Sequence, residues 1–189
     1  MRNLERRSFL STTMAAFPLA MLGQSGETST QPKLTRVPAG EDRFREHHTI
    51  GISSTDFKVA TKDANGGLFI MEHTIRKKGG PPRHLHHNED EWFYALGGEY
   101  IVEVGSERCR LKSGDCILAP RGVPHAWAFV GDTPGKMLIA FAPANKMEEF
   151  FRSTNARRGG AYSTWDDPNE KERFRAFGLE LLGPPLSVE

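Results

Sequence analysis

The sequence predicts an all-β fold, a single barrel with short C-terminal helices packed outside it, on the strength of three observations. The 189 residues include 19 Gly and 12 Pro, a density of chain breakers that favours many short elements joined by tight turns. Between residues 47 and 142, turn signals recur at intervals of roughly 8–17 residues: Gly66-Gly67, Gly79-Gly80-Pro81-Pro82, Gly97-Gly98, Gly105, Ser113-Gly114, Gly122, Gly131 and Gly135. The runs between these turns alternate faces, as where Tyr100, Val102 and Val104 point one way and Ile101 and Glu103 the other. Strands are accordingly expected over 68–75, 92–96, 100–104, 116–119, 126–130 and 137–141. A helix is expected over 145–153, with Met147, Phe150 and Phe151 on its apolar face. A second starts at Asp167-Pro168-Asn169-Glu170, where Asp167 caps, Pro168 suits the first turn and Glu170 favours the positive end of the helix; Gly178 ends it. The barrel thus occupies 47–143 and a helical tail 144–189.

Composition sets the outer limits. The chain is 38% hydrophobic, enough to bury one core, and 26% charged. Lys plus Arg minus Asp plus Glu is 25 − 24 = +1, without the basic excess by which a protein grips nucleic acid, so that partner class is excluded. No stretch approaches the ~20 apolar residues that cross a bilayer as a helix, so the mature chain is expected to have no membrane partner. Two cysteines, Cys109 and Cys116, are too few for a disulfide scaffold. They flank the Ser113-Gly114 turn, where export would permit a bridge but strand geometry disfavours one.

The N-terminus reads as an address. Arg2, Arg6 and Arg7 precede a mildly apolar run over 12–23 without acidic residues, the layout of a charged region followed by an apolar one. Arg6-Arg7-Ser8-Phe9-Leu10 resembles the twin-arginine export signal, with Glu5 where Ser is usual and Ser11 where Lys is usual. Residues 1–25 are therefore expected to be an export signal peptide and 26–46 a linker. That implies the twin-arginine machinery as a partner and a periplasmic or extracellular mature protein.

The chemistry concentrates in Pro82-Arg83-His84-Leu85-His86-His87-Asn88-Glu89-Asp90-Glu91 and, about thirty residues later, in Pro120-Arg121-Gly122-Val123-Pro124-His125. In a strand over 83–87, His84 and His86 face the same side because side chains alternate. Asn88-Glu89-Asp90 form a polar turn and Glu91 begins the returning strand. Two imidazoles, a carboxylate and His125 can then meet around one point, a donor set that suits a divalent first-row transition metal. His87 points the other way and reads as structural; Glu89 and Asp90 read as solvated turn residues. His47, His48 and His73 lack comparable context, although His73 can face the cavity. Trp127 and Phe129 share the face of His125, and Phe93 that of Glu91. These three are expected to form the apolar wall of a substrate pocket.

The two blocks resemble the paired motifs of the cupin family, G-x5-H-x-H-x3,4-E-x6-G and G-x5-P-x-G-x2-H-x3-N. His84, His86, Glu91 and Gly98 fit the first, although its leading Gly falls on Lys78. Gly114, Pro120, Gly122 and His125 fit the second, whose final Asn position is Phe129. The resemblance spans about 66–152. It extends loosely to Gly178-Leu179-Glu180-Leu181-Leu182-Gly183-Pro184-Pro185-Leu186, a tail similar to that of small quercetin-dioxygenase-like cupins. It implies a jelly-roll barrel holding one divalent metal (Fe, Mn, Cu, Ni, Co or Zn) on His84, His86, Glu91 and His125. Glu91 would also serve as the catalytic base. The implied activity is a metal-dependent, dioxygenase-like oxidoreductase acting on a small oxygenated organic or aromatic molecule. Two alternatives stay open: an exported cupin that binds a small molecule or metal without turnover, and a germin-like manganese oxidase or dismutase. A homodimer is compatible with any of the three.

Overall fold

The computed structural model describes residues 34–157 and 164–188. The expected signal peptide and the first part of the linker lie outside these residues. Among the described residues eleven strands and two α-helices, besides a short 3-10 turn at Thr61–Ala64, follow one another as β1 (His48–Ile50), β2 (Ser53–Val59), β3 (Phe69–Ile75), β4 (Pro82–His86), β5 (Asp90–Gly97), β6 (Tyr100–Val104), β7 (Glu107–Leu111), β8 (Cys116–Ala119), β9 (His125–Phe129), β10 (Gly135–Ala142), α1 (Met147–Ala156), α2 (Pro168–Ala176) and β11 (Leu179–Pro185). Two antiparallel sheets carry the strands in the orders β1-β2-β3-β10-β5-β8 and β11-β4-β9-β6-β7. Their inner faces enclose the core, the crossed pairing of a jelly roll. Alternation is clean in β3, where Phe69, Met71, His73 and Ile75 are buried and the residues between them are only half-buried.

The 79–82 turn does more than reverse the chain. Gly79 and Phe129 exchange backbone hydrogen bonds of 3.0 and 2.8 Å, which lays the start of β4 against the end of β9. Gly80 is needed there because a Cβ would stand 1.8 Å from the Trp127 carbonyl oxygen. Between the two strands proper only His84 and His125 pair. On its other edge β4 pairs more extensively with β11, Leu179 opposite His86 and Leu181 opposite His84. The tail read as helical thus ends in a strand, one that completes the sheet beside the histidines. Its Gly-Pro-Pro sequence masks the strand signal.

Both helices form near their expected positions. α1 starts two residues late because Asn145 takes a left-handed conformation (φ 41°). The Asp167 side chain accepts a 2.9 Å hydrogen bond from the Asn169 backbone N–H and caps α2. Their aromatic residues Phe150, Phe151 and Phe174 are buried and reach into the barrel mouth, so the helices close an end of the cavity as well as packing on its outside. The latter part of the expected linker is also tied in. Buried Asp42 accepts hydrogen bonds of 2.6 Å from each of the Phe44 and Phe57 backbone N–H groups. Cys109 on β7 and Cys116 on β8 are free, exposed and in different sheets, without the hairpin that would have set them opposite each other.

Candidate metal centre

β4, β5 and β9 deliver four buried side chains to one point: His84 and His86 from β4, Glu91 from β5 and His125 from β9. One ligand atom from each lies within 4.8 Å of all the others. The contacts run through a single carboxylate oxygen. Glu91 Oε2 is 2.8 Å from His125 Nε2, 3.1 Å from His86 Nε2 and 3.8 Å from His84 Nε2.

The far nitrogen of each ring is tethered. His84 Nδ1 donates to the Pro82 carbonyl at 2.8 Å and His125 Nδ1 to the Val123 carbonyl at 2.9 Å. His86 Nδ1 donates to Glu89 Oε1 at 2.7 Å. A carbonyl can only accept, so the proton of neutral His84 or His125 sits on Nδ1 and the Nε2 lone pair faces the centre. The 2.8 Å approach of His125 Nε2 to a carboxylate oxygen then sets two acceptors against each other, and only a shared proton or a cation relieves it. Such outer tethers fix the tautomer and aim in which imidazole binds a metal. The residues present therefore fit a divalent ion.

Electrostatics agree with that reading. Burial raises the Glu91 pKa, but the adjacent His125 and His86 outweigh it and hold the carboxyl well below the usual carboxylate range. Burial lowers His86, yet the carboxylates of Glu89 and Glu91 overcome this and bring it up to about 9. Burial, with His125 and His86 alongside, pushes His84 down to about 3.

Glu89 corrects the sequence reading. It is 0% exposed rather than solvated, and its second oxygen accepts a 3.0 Å hydrogen bond from Asn145 Nδ2. Nothing in the sequence separates it from Asp90, which does face outward and pairs with Arg121 at 2.9 Å. His87 is half-exposed beside Glu180, as its outward phase requires.

A cavity of about 560 Å³, within the range of small-molecule sites, is lined by His84, His86 and Glu91 of the cluster but not by His125. Its wall is mostly apolar. Of the three expected wall residues, Trp127 lines it and Phe93 and Phe129 do not. Phe93 stands edge-on behind His125, ring centres 6.2 Å apart, and Phe129 packs against Tyr100 at 5.5 Å. Sharing a face with a ligand places a side chain in the core but does not set its depth. The wall is completed by Phe150, Phe151, Phe174 and Leu179 from the C-terminal segment, which periodicity within the barrel could not reveal.

The model of a family described as "Cupin domain" matches residues 71–141. That stretch is similar to a cupin domain. It contains all four clustered residues; β4 to β9 fall within it, with most of β3 and β10. Solved structures similar to the chain include KdgF from Halomonas sp., 19% identical over 52% of this chain and 86% of its own, with a TM-score of 0.47. An RmlC-like cupin from Shewanella frigidimarina is 22% identical over 55% and 87%, with a TM-score of 0.45. A predicted oxalate decarboxylase from Thermotoga maritima is 18% identical over 48% and 79%, with a TM-score of 0.46. A search of curated proteins gives no match.

Proposed function

We propose that the protein is an exported, metal-dependent oxidoreductase of dioxygenase-like chemistry that acts on a small oxygenated organic molecule. The observation that carries this reading is the buried cluster of three Nδ1-tethered imidazoles and one carboxylate on the wall of an apolar cavity. His84, His86, Glu91 and His125 would hold the ion. Bound there, a transition metal supplies Lewis-acid and, where its ion allows, one-electron chemistry toward a hydroxyl or carbonyl group and oxygen.

The chain's own residues have separable tasks. Pro82, Val123 and Glu89 hold the three rings in one tautomer, so no reorientation is needed when a ligand arrives. Trp127, Phe150 and Phe174 present an apolar surface to the body of the ligand and exclude water. Glu91 meets the imidazoles through Oε2, which leaves Oε1 as the atom to accept a hydroxyl proton from the ligand.

The test is oxygen uptake by protein loaded in turn with iron, manganese, copper, nickel, cobalt and zinc and supplied with catechol or a flavonol. Uptake with a redox-active ion and none with zinc is expected. Glu91→Gln that still holds the ion should lose turnover and keep affinity for the compound. Affinity without uptake under any ion would overturn the oxidoreductase reading and favour a binding protein.

A further inference from the structure

His73 is the polar exception in an apolar row. On β3 its inward neighbours are Met71 and Ile75, and across the ladder it faces Met137 of β10. It is 3% exposed and lines the cavity. Among the described residues its only hydrogen-bond contact is Thr55 Oγ1, 3.4 Å from Nδ1, and Nε2 has no partner. The ring stands edge-on to Trp127, centres 6.1 Å apart. An orphaned nitrogen in such a place costs stability comparable to a lost hydrogen bond unless something else satisfies it. Buried Ser53, two residues before Thr55 on the same face of β2, adds a hydroxyl to this end of the cavity. Burial pushes the His73 pKa down to about 4, so the ring is neutral at ordinary pH.

The distance from the cluster sets the size of what would lie between. Met137 links His73 to the rung of Ala95 on β5, four residues beyond Glu91. Four residues of strand span about 13 Å, and β3 and β5 lie two strand spacings apart, about 10 Å, which puts the backbones about 16 Å apart. Both side chains project inward from the same sheet, so what bridges them must be elongated, on the order of two or more linked rings.

We propose that His73 is a specificity-determining residue whose Nε2 hydrogen-bonds a hydroxyl at the far end of an elongated, largely aromatic ligand, the near end of which carries the oxygens that meet the His84–His86–Glu91–His125 cluster. A hydroxyl suits the site because it both donates and accepts, and so pairs with Nε2 in either tautomer that Thr55 selects. The inference rests on the reading of that cluster as a metal site, and the experiment separates the two.

Zinc-loaded protein, which binds without oxidising, is titrated with 4-phenylcatechol and with 4-(4-hydroxyphenyl)catechol, following tryptophan fluorescence. Wild type is expected to bind the hydroxylated probe about tenfold more tightly. His73→Phe, or His73→Met if the first variant does not fold, should bind both probes alike with unchanged zinc content. His73→Gln should keep part of the preference. Equal binding of the two probes by wild type, or a preference that survives His73→Phe, overturns the inference. Equal binding of 4-phenylcatechol with and without zinc overturns the metal-site reading instead, and a His73-dependent preference would still support the hydroxyl contact.

Discussion

Removing the Glu89 carboxylate isolates the contribution of a residue outside the proposed ligand set. Glu89 Oε1 accepts from His86 Nδ1 at 2.7 Å and Oε2 from Asn145 Nδ2 at 3.0 Å, with no exposure to water. Glu89→Gln keeps the shape and an accepting oxygen but loses the charge that makes this hydrogen bond roughly twice as strong as a neutral one. Glu89→Ala also leaves His86 free to turn and removes one of the two acceptors of Asn145 Nδ2, the other being the Asn88 carbonyl. Outer partners of metal-binding histidines are worth about 10–100-fold in affinity, or about 1.4–2.7 kcal/mol. Glu89→Gln is expected near the lower figure and Glu89→Ala near the upper. Zinc competition against a chromophoric chelator measures both, with thermal melts to establish that each variant is folded. A folded Glu89→Ala variant that binds zinc within twofold of wild type would refute the idea that this carboxylate aims His86.

Three further outcomes are expected. His73 has a folded pKa of about 4 against about 6.5 unfolded, so the unfolded chain binds more protons between these values; the stability from burying it neutral is complete above pH 6.5 and is lost as pH falls toward 4, at about 1.4 kcal/mol per unit. His73→Phe should flatten that part of the urea-midpoint profile, and identical slopes would contradict the assignment. Gly80→Ala drives a Cβ to 1.8 Å from the Trp127 carbonyl and should cost about 3 kcal/mol or more in chemical denaturation, whereas Gly183→Ala, with only Arg83 Cβ at 3.7 Å, should be nearly neutral. Replacing Arg6 and Arg7 together with Lys should hold the precursor in the cytoplasm on fractionation; unaltered fractionation would argue against the twin-arginine route.

What could be read from the sequence follows from the range of each signal. Alternation and turns are local, so β3 to β6, β8 to β10 and the meeting of His84, His86, Glu91 and His125 follow from spacing, whereas β1, β2 and the mostly exposed β7 do not stand out. Asp167 and Pro168 likewise marked the start of α2 because a cap is a property of four consecutive residues. Glu89 was misread because burial of a turn carboxylate depends on Asn145, 56 residues away. Phe93 and Phe129 were assigned to the cavity because phase tells which face a side chain takes, not how far along the cavity axis it lies. β11 escaped because its partner strand, not its composition, makes it a strand.

That last pairing has a consequence for the order in which the protein is built. The strand carrying His84 and His86 meets its β9 neighbour at one residue pair and holds most of its ladder with residues 179–185. A ribosome adds more than ninety residues after His86 before Leu179 exists. Until they emerge, the two histidines ride on a nearly unzipped margin, and a prematurely ended chain never fixes them. A chain that stops before residue 179 therefore lacks the ladder along which Leu179 and Leu181 face His86 and His84.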